Sequence, residues 1–220
     1  MPDWPEMNLM LDYLHPGDIF VDVGANVGVY SLLASVVPDV EVWAFEPSLE
    51  TWRSARANVT LNDLDNSIHV VRAAVGADEG TVMLTVGLGS VNHVVPSSDK
   101  AAGESVPMVA LDSHLLAKDR TKIRVLKIDV EGDELAVLDG ARGLIRDSRP
   151  LIIVEANDIA GLATWLSELE YRPFTYMPER RELSETTWEA SPTGNIIALA
   201  DTALAWHRRL RVGELGDPSN

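Results

Sequence analysis

The sequence contains no cysteine, and this absence removes several functions at once. Without thiols there are no disulfides, no thiolate metal site and no cysteine nucleophile. Basic residues are also scarce, since 18 Lys and Arg stand against 34 Asp and Glu and leave a formal net charge of -16. Phosphate backbones and anionic lipid repel such a chain, so we expect no nucleic acid and no membrane surface as a partner.

Long apolar runs are missing as well. No window approaches the ~18 apolar residues of a membrane span, and the first residues, MPDWPEMNLMLDYLHPGD, lack the basic start and apolar stretch of a signal peptide. We therefore expect a cytoplasmic protein. The 220 residues, 46% hydrophobic and 24% charged, predict a single domain over 1–220, and a homo-oligomer stays open.

Strand patterns alternate with helical patterns along most of the chain, which predicts an α/β fold with a doubly wound, mostly parallel sheet. The predicted strands are 18–23, 40–45, 67–75, 124–130, 150–156, 171–177 and 195–200, and the predicted helices are 28–37, 49–62, 133–145 and 159–170. The last two strands have no helical pattern between them, so we expect an antiparallel pair at one edge of the sheet.

Residues 81–86 and 106–111 interrupt this alternation, because they read as an inserted pair of β-strands with no helix between them. The connection, 87–105, is rich in Gly, Ser and Pro. A connection of this length is either a loop that covers the substrate or a mobile segment. His93 lies within it and is a candidate catalytic base, although a lone loop histidine is more often solvated.

The segment VDVGANVGVY, residues 21–30, follows the first predicted strand like a nucleotide-binding turn. Its glycines are Gly24 and Gly28, whereas the position where a dinucleotide fingerprint has a further glycine holds Asn26. The missing G-x-G-x-x-G weighs against a nicotinamide-dependent oxidoreductase. Asn26 can still supply a bend with positive φ, because asparagine enters that region more readily than most residues.

Two acids flank this turn at the carboxyl ends of predicted strands. Asp22 would repel a pyrophosphate but suits a ligand with an ammonium or sulfonium charge. Glu46 follows the second strand, near the ~20-residue offset at which an acid binds a ribose diol, although an acid after a strand is also a common helix cap. Ribose and positive charge without pyrophosphate point to S-adenosylmethionine.

Five segments in order resemble the motifs of FkbM-type S-adenosylmethionine-dependent methyltransferases: FVDVGANVGVYSLLAS, FEPSLETWRSARANVTLN, AAVG, LKIDVEGDELAVLDGA and PLIIVEA. The resemblance implies a class I methyltransferase, Rossmann-like fold with seven strands, the last antiparallel. It also implies O-methylation of a hydroxyl on a small molecule, often a secondary metabolite. The cofactor positions implied by the resemblance are Asp22, Gly24, Asn26, Gly28 and Glu46, with Ala74 beside the adenine. Asp129 is a further candidate for cofactor contact.

The segment KIDVEGDE, 127–134, ends the strand expected beside the first one and carries the candidate catalytic residues. Asp129 and Glu131 are two residues apart, so they face the same way if the strand continues through them and no turn at Gly132 ends it. Asp129 would face the methyl group and Glu131 the acceptor. Lys127 is either a strand residue paired with a carboxylate or a desolvated base.

Magnesium is an alternative for the same edge, although the favoured prediction contains no metal. Asp129, Glu155 and Asn157 follow two predicted strands and carry the oxygen ligands that Mg²⁺ prefers. An ordinary polar crevice has similar residues. Two alternatives to an O-methyltransferase also stay open, namely a methyltransferase-like module that binds cofactor without catalysis and, with less support, a nicotinamide-dependent oxidoreductase.

Overall fold

The computed structural model describes residues 3–85, 94–95, 103–115, 117–190 and 194–200. Their strands are β1 (Ile19–Val23), β2 (Glu41–Phe45), β3 (Ile68–Val71), β4 (Ala74–Val75), β5 (Gly80–Thr85), β6 (Val94–Val95), β7 (Gly103–Val109), β8 (Ile123–Ile128), β9 (Leu151–Glu155), β10 (Arg172–Met177), β11 (Glu182–Glu185) and β12 (Asn195–Leu199). Their helices are α1 (Trp4–Tyr13), α2 (Val29–Ala34), α3 (Leu49–Leu61), α4 (Leu111–His114), α5 (Ala117–Arg120), α6 (Glu134–Gly140), α7 (Arg142–Ser148) and α8 (Ile159–Glu168).

Eight strands form the central sheet in the order β11-β10-β12-β9-β8-β1-β2-β3. The pairs from β9 to β3 are parallel, which confirms the predicted doubly wound α/β sheet. All five residues of β1 are buried, as expected for a central strand with a layer of helices on each face. Its carboxyl end therefore opens at an edge of the sheet where neighbouring strands also end.

Two hydrophobic clusters fill the space between this sheet and its helices. One joins Val21, Ile128 and Val154 to α6, α7 and α8. The other joins Phe20 and Val125 to α1, α2 and α3. Side chains alternate between the two faces of a sheet along each strand. The cluster to which a residue of β1 or β8 belongs therefore shows on which face of the sheet its side chain lies.

The predicted pair of inserted strands, β5 and β7, is present and antiparallel. It belongs to a second sheet with the order β4-β7-β5-β6. The strand predicted over 67–75 is two strands in different sheets, since β3 pairs with β2 and β4 pairs with β7. In the segment predicted as a covering loop, β6 pairs with β5 and β7 begins at Gly103, while His93 lies outside the described residues.

The antiparallel pairing of the last two predicted strands is confirmed, because β10 pairs with β12 in that sense. The sheet nevertheless has eight strands rather than seven. The connection after β10 contributes β11, which pairs antiparallel with β10 at the edge. The final strand, β12, lies between β10 and β9. A short four-residue strand such as β11 gives too weak an alternation to be recognised from sequence.

The helix predicted over 133–145 is divided into α6 and α7 at Gly140. A Cβ at Gly140 would lie 2.0 Å from the carbonyl oxygen of Gly76. The backbone that follows β4 therefore approaches the helix layer here more closely than any side chain would permit. Among the described residues, no helix is long and apolar enough to cross a membrane.

Candidate active site

A cleft of about 200 Å³ opens at the carboxyl ends of β1, β2 and β8. It is lined by Val23, Gly24, Asn26, Phe45, Glu46, Pro47, Ser48, Thr51, Ala73, Ala74, Val75, Leu84, Asp129, Val130, Glu131 and Asp133. Open parallel sheets bind ligands at this edge, where the strand order reverses. Here β1 lies between β2 and β8. The strands β2 and β3 are added on one side of β1, and β8 and β9 are added on the other, so the strand order reverses at β1.

Gly24 permits the closest backbone approach in the cleft. The amides of Gly24 and Ala25 both donate to the carbonyl oxygen of Phe45 at 3.0 Å, and the amide of Asp129 donates to that of Val23 at 3.0 Å. Gly24 has φ +76°, and a Cβ there would lie 1.8 Å from the carbonyl oxygen of Asp129. The position therefore requires glycine both for conformation and for space.

Asn26 has φ +52°, which confirms the predicted left-handed bend. Its amide donates to Glu46 Oε2 at 2.9 Å. Glu46 Oε1 accepts from the amide of Ser48 at 2.9 Å and from Thr51 Oγ1 at 2.7 Å. The two turns that follow β1 and β2 are thus held together by one carboxylate.

The Glu46 carboxylate is largely buried, with 7% of the residue exposed. Burial raises its pKa, and the hydrogen bonds from Thr51, Ser48 and Asn26 offset part of this effect. A carboxylate has about four acceptor sites, and three are filled by these donors. One acceptor site, on Oε2, is not filled by these three donors.

Asp22 lies beneath the cleft and is absent from its lining. Its residue is fully buried, and its Oδ2 accepts from Ser31 Oγ at 2.7 Å. Its Oδ1 lies 3.8 Å from Lys127 Nζ and accepts no hydrogen bond from the described residues. Burial raises the pKa of Asp22, against the opposing effect of Lys127. The described contacts thus direct its carboxylate toward α2, and its cofactor role stays a prediction.

Lys127 connects this buried acid to the cleft. Its Nζ donates to Asp129 Oδ2 at 3.0 Å, and its side chain is only 6% exposed against 40% for Asp129. The ammonium also lies 5.0 Å from the centre of the Tyr30 ring, a distance at which a cation and an aromatic face attract each other. Lys127 therefore orients Asp129 from below, which matches the first of the two roles predicted for it.

Glu131 lines the cleft and has φ +58°. The strand ends at Ile128, so the alternation that would place Glu131 on the same face as Asp129 does not apply. The turn is held by the buried Glu134, whose Oε1 accepts from the amide of Gly132 at 2.9 Å and from Asn157 Nδ2 at 2.9 Å. A non-glycine residue in this conformation is uncommon and frequently marks a functional site.

The three residues considered for Mg²⁺ are Asp129, Glu155 and Asn157, and the described contacts among them involve the Asn157 amide. Asn157 directs its Nδ2 toward Glu155 Oε2 at 2.7 Å and toward Glu134, so its donor group faces the carboxylates. Within the described part of the chain, no group of three or more His, Asp or Glu side chains could hold a metal ion. The described geometry thus adds nothing to the magnesium alternative.

Part of the cleft lining is apolar. Ala73, Ala74 and Val75 lie at the junction between β3 and β4, and Leu84 comes from β5. Such a surface suits a flat heteroaromatic ring. Ala74 thus lies in the cleft, whereas Gly28, with φ +86°, begins α2 outside the lining.

Sequence reasoning missed Thr51, Leu84 and Glu134. Thr51 lies in the first turn of α3, three residues after Ser48, and its contact with Glu46 had no signal in the sequence. Leu84 reaches the cleft from the second sheet, and no local pattern indicates that contact. Glu134 was visible only as a further acid in KIDVEGDE.

Glu155 provides a test of the electrostatics at this edge. Burial raises its pKa, and the nearby Asp129, Glu131 and Glu134 raise it further. Because its pKa is raised in the folded state, Glu155 contributes to stability fully at pH values below the unfolded pKa of 4.5. This contribution is lost as the pH rises through the folded pKa. We expect Glu155→Gln to melt above the wild type at neutral pH and to approach it below pH 4.5.

Thermal unfolding across this pH range measures the difference. Glu50→Gln, at an exposed position of α3, is the matched control and should give no comparable trend. A gap that is independent of pH, or a wild type that is the more stable protein at neutral pH, would contradict the assignment.

Known proteins resemble this chain in sequence and in fold. The methyltransferase FkbM domain matches residues 22–173. The 31-O-demethyl-FK506 methyltransferase FkbM of Streptomyces tacrolimicus is 26% identical over 204 residues, with 77% of each chain covered. The hexuronic acid methyltransferase AglP of Haloferax volcanii is 25% identical over 149 residues, which cover 68% of this chain and 60% of AglP.

Solved structures share the fold. A methyltransferase FkbM from Methylobacillus flagellatus superposes with a TM-score of 0.56 at 19% identity, and the match covers 90% of this chain but only 50% of that protein. The chain thus spans about half the length of this solved relative. Sp1610 of Streptococcus pneumoniae, a putative tRNA (m1A22) methyltransferase in complex with S-adenosyl-L-methionine, superposes with a TM-score of 0.52 at 15% identity, over 90% of this chain and 72% of that protein. Because the domain match extends over more than half of the sequence, the chain belongs to the FkbM family of methyltransferases.

Proposed function

We propose that this methyltransferase uses S-adenosylmethionine to methylate a hydroxyl group of a small molecule. The observation that carries the proposal is the Glu46 carboxylate, which joins the Gly24–Asn26 turn to the end of β2 and keeps one acceptor site toward the cleft. The name of one relative, 31-O-demethyl-FK506 methyltransferase, describes transfer to an oxygen, which supports a hydroxyl as the acceptor.

The residues of the cleft fit this cofactor in three respects. Glu46 can accept from a ribose hydroxyl, the apolar wall that includes Ala74 and Leu84 can cover an adenine, and the exposed backbone at Gly24 leaves room for the methionine portion. Asp129 can face a cationic centre. S-adenosylmethionine supplies an electrophilic methyl group on a sulfonium when it is bound.

The acidic residues around Asp129 can serve the acceptor. An acceptor hydroxyl must be aligned and must lose or share its proton during methyl transfer. Asp129 and Glu131 line the cleft, and Lys127 holds Asp129 from below. We assign alignment and proton acceptance to Asp129, with Glu131 beside it, and orientation of Asp129 to Lys127.

Titration of the purified protein with S-adenosylhomocysteine and with NADH by calorimetry tests the cofactor. We expect binding of S-adenosylhomocysteine and none of NADH. Tight binding of NADH alone would favour the oxidoreductase alternative. Binding of S-adenosylhomocysteine without any methyl transfer across a broad acceptor panel would favour the non-catalytic module.

Glu46→Gln tests the residue that carries the proposal. Hydrogen bonds to a charged acceptor contribute about 1.5–3 kcal/mol each, so loss of one should weaken S-adenosylhomocysteine binding by at least ~10-fold. The matched control is Glu50→Gln on the exposed face of α3. Wild-type affinity in Glu46→Gln would refute the ribose assignment.

Thr51→Val separates ligand contact from support of the turn. It removes one donor to Glu46 Oε1 and leaves the carboxylate in place. If Glu46 contacts the ligand, Thr51→Val should weaken binding less than Glu46→Gln does. Equal losses in the two variants would instead assign Glu46 to support of the turn.

A further inference from the structure

The carboxylate of Asp22 has an unfilled acceptor atom in the buried layer beneath the cleft. The residue is fully buried, and its Oδ2 accepts from Ser31 Oγ at 2.7 Å. Its Oδ1 accepts no hydrogen bond from the described residues, although Lys127 Nζ lies 3.8 Å away. Buried polar atoms in proteins are nearly always hydrogen-bonded, so this atom needs a physical explanation.

Strand pairing places the carboxylate beside Lys127. Asp22 in β1 is directly opposite Lys127 in β8. Both side chains lie on the face of the sheet that α2 covers, because Asp22 contacts Ser31 and the Lys127 ammonium lies 5.0 Å from the centre of the Tyr30 ring. The side chains of Asp22 and Lys127 are 1% and 6% exposed, so water and salt screen their interaction little.

Lys127 places one ammonium between two carboxylates. Its Nζ donates to Asp129 Oδ2 at 3.0 Å and faces Asp22 on the buried side. Burial raises the pKa of Asp22, and the Lys127 ammonium and the Ser31 hydrogen bond act against this effect by favouring the charged form. With both carboxylates ionised, the three groups sum to one negative charge. That charge is accessible at Asp129, which lines the cleft.

The balance of these three charges decides how a cation is received in the cleft. Among the described residues that line the cleft, none is Lys or Arg. Lys127 contacts Asp129 from below, so its ammonium would repel a sulfonium placed near Asp129. Asp22 offsets this ammonium from the buried side. A movement of Nζ by about 1 Å would also bring it within hydrogen-bond distance of the unfilled Oδ1.

We propose that Asp22 is a positioning residue that acts through Lys127 and sets the preference of the cleft for a sulfonium cofactor over an uncharged product. Asp22 neutralises the ammonium, so the charge of Asp129 stays available to the sulfonium. S-adenosylmethionine carries this sulfonium, whereas S-adenosylhomocysteine has an uncharged thioether in its place. The proposal rests on the proposed function and deepens it, because it states how the same site distinguishes cofactor from product.

Calorimetry with these two ligands, which differ by one charge, tests the role of Asp22. Each ligand is titrated separately into the wild type and into Asp22→Asn at neutral pH, and the ratio of the two affinities is compared. Asparagine keeps the shape and can accept from Ser31, but it leaves Lys127 with one carboxylate instead of two. We expect the preference for S-adenosylmethionine to fall by about 5-fold or more. Structural damage alone would weaken both ligands alike and leave the ratio unchanged, which would overturn the proposal.

A second substitution, Lys127→Met, added to Asp22→Asn restores the charge balance. The double variant has neither the buried carboxylate nor the ammonium, so Asp129 again supplies one uncompensated negative charge. We expect the double variant to recover most of the preference lost in Asp22→Asn. Two buried substitutions that acted only on packing would add their damage, so a preference that stays low in the double variant would contradict the proposal.

Asp18→Asn is the matched control. Asp18 is also buried, and its Oδ1 lies 3.7 Å from Arg124 Nε, much as Asp22 lies 3.8 Å from Lys127. It precedes Asp22 by four residues, which is about 13 Å along a strand and toward the opposite edge of the sheet. Its substitution removes the same charge from a buried ion pair away from the cleft. The affinity ratio should therefore stay at the wild-type value.

Lysine NMR tests the same contact in the wild type, without a substitution at the site. The chain contains four lysines, and replacement of each of the other three by arginine identifies the Lys127 side-chain signal by elimination. We expect this signal to differ between the S-adenosylmethionine and S-adenosylhomocysteine complexes, because the sulfonium drives the ammonium from Asp129 toward Asp22. An identical Lys127 signal in the two complexes would overturn the proposal even if Asp22→Asn failed to fold.

Binding of S-adenosylhomocysteine to the wild type is measured first and tests the proposed function alone. A protein that binds neither ligand contradicts the proposed function and this inference with it. A protein that binds both ligands, with the same affinity ratio in the wild type and in Asp22→Asn, loses only the role assigned to Asp22.

Discussion

Gly24→Ala is expected to lower the free energy of unfolding by about 2–5 kcal/mol and to abolish cofactor binding. Two effects combine at this position. Alanine at φ +76° is strained by about 1–2 kcal/mol. The new Cβ would also lie 1.8 Å from the carbonyl oxygen of Asp129, so β1 and β8 would have to separate where the cleft is formed.

Gly17→Ala is the matched control for this substitution. Gly17 has φ +85°, similar to Gly24, but a Cβ there would have no heavy atom within 4 Å. It should therefore show the conformational strain alone, about 1–2 kcal/mol. Urea denaturation of both variants measures the difference. Equal losses of stability would show that the approach of Asp129 to Gly24 imposes no constraint.

Asp129→Asn is expected to reduce the rate of methyl transfer by about 100-fold or more, with a smaller effect on S-adenosylhomocysteine affinity. The substitution keeps the shape of the side chain, and the amide oxygen can still accept from Lys127. It removes the negative charge that faces the cleft and the ability to accept a proton. An interaction needed mainly in the transition state lowers turnover more than ground-state binding.

Single-turnover transfer of a labelled methyl group to a hydroxyl-bearing acceptor measures this effect, alongside calorimetry with S-adenosylhomocysteine. Asp65→Asn, at an exposed position before β3, controls for the loss of one negative charge from an acidic protein. An unchanged rate in Asp129→Asn would move proton acceptance to Glu131. A rate that falls only in proportion to cofactor affinity would make Asp129 a binding residue.

The contacts of Lys127 restrict the role that it can have in the proposed reaction. Lys127 is too deeply buried to reach an acceptor directly, since its ammonium lies among Asp22, Asp129 and the ring of Tyr30. Loss of the ammonium would leave two carboxylates with no cation between them. These contacts support the proposed role of Lys127, which is to position Asp129.

The parts of the site that could be predicted from sequence are those with local causes. The turn at Gly24 and Asn26 needs residues that tolerate positive φ, and such residues are visible in VDVGANVG without any tertiary information. The placement of Glu46 and Asp129 at one edge follows because parallel strands end at the same edge of a sheet. The alternation of strands and helices likewise determined the central sheet, because burial on both faces requires apolar runs.

Tertiary structure alone decided where the side chains point and where elements end. Asp22 belongs to the turn motif by sequence, but its place in the pleat of β1 directs it toward Ser31 and Lys127. The need for glycine at position 140 comes from the backbone of Gly76, a contact distant in sequence. The position of β12 between β10 and β9 is likewise set by strand pairing between segments distant in sequence. Each of these features depends on which segments meet in space, and a periodic pattern along one segment carries no information about its neighbours.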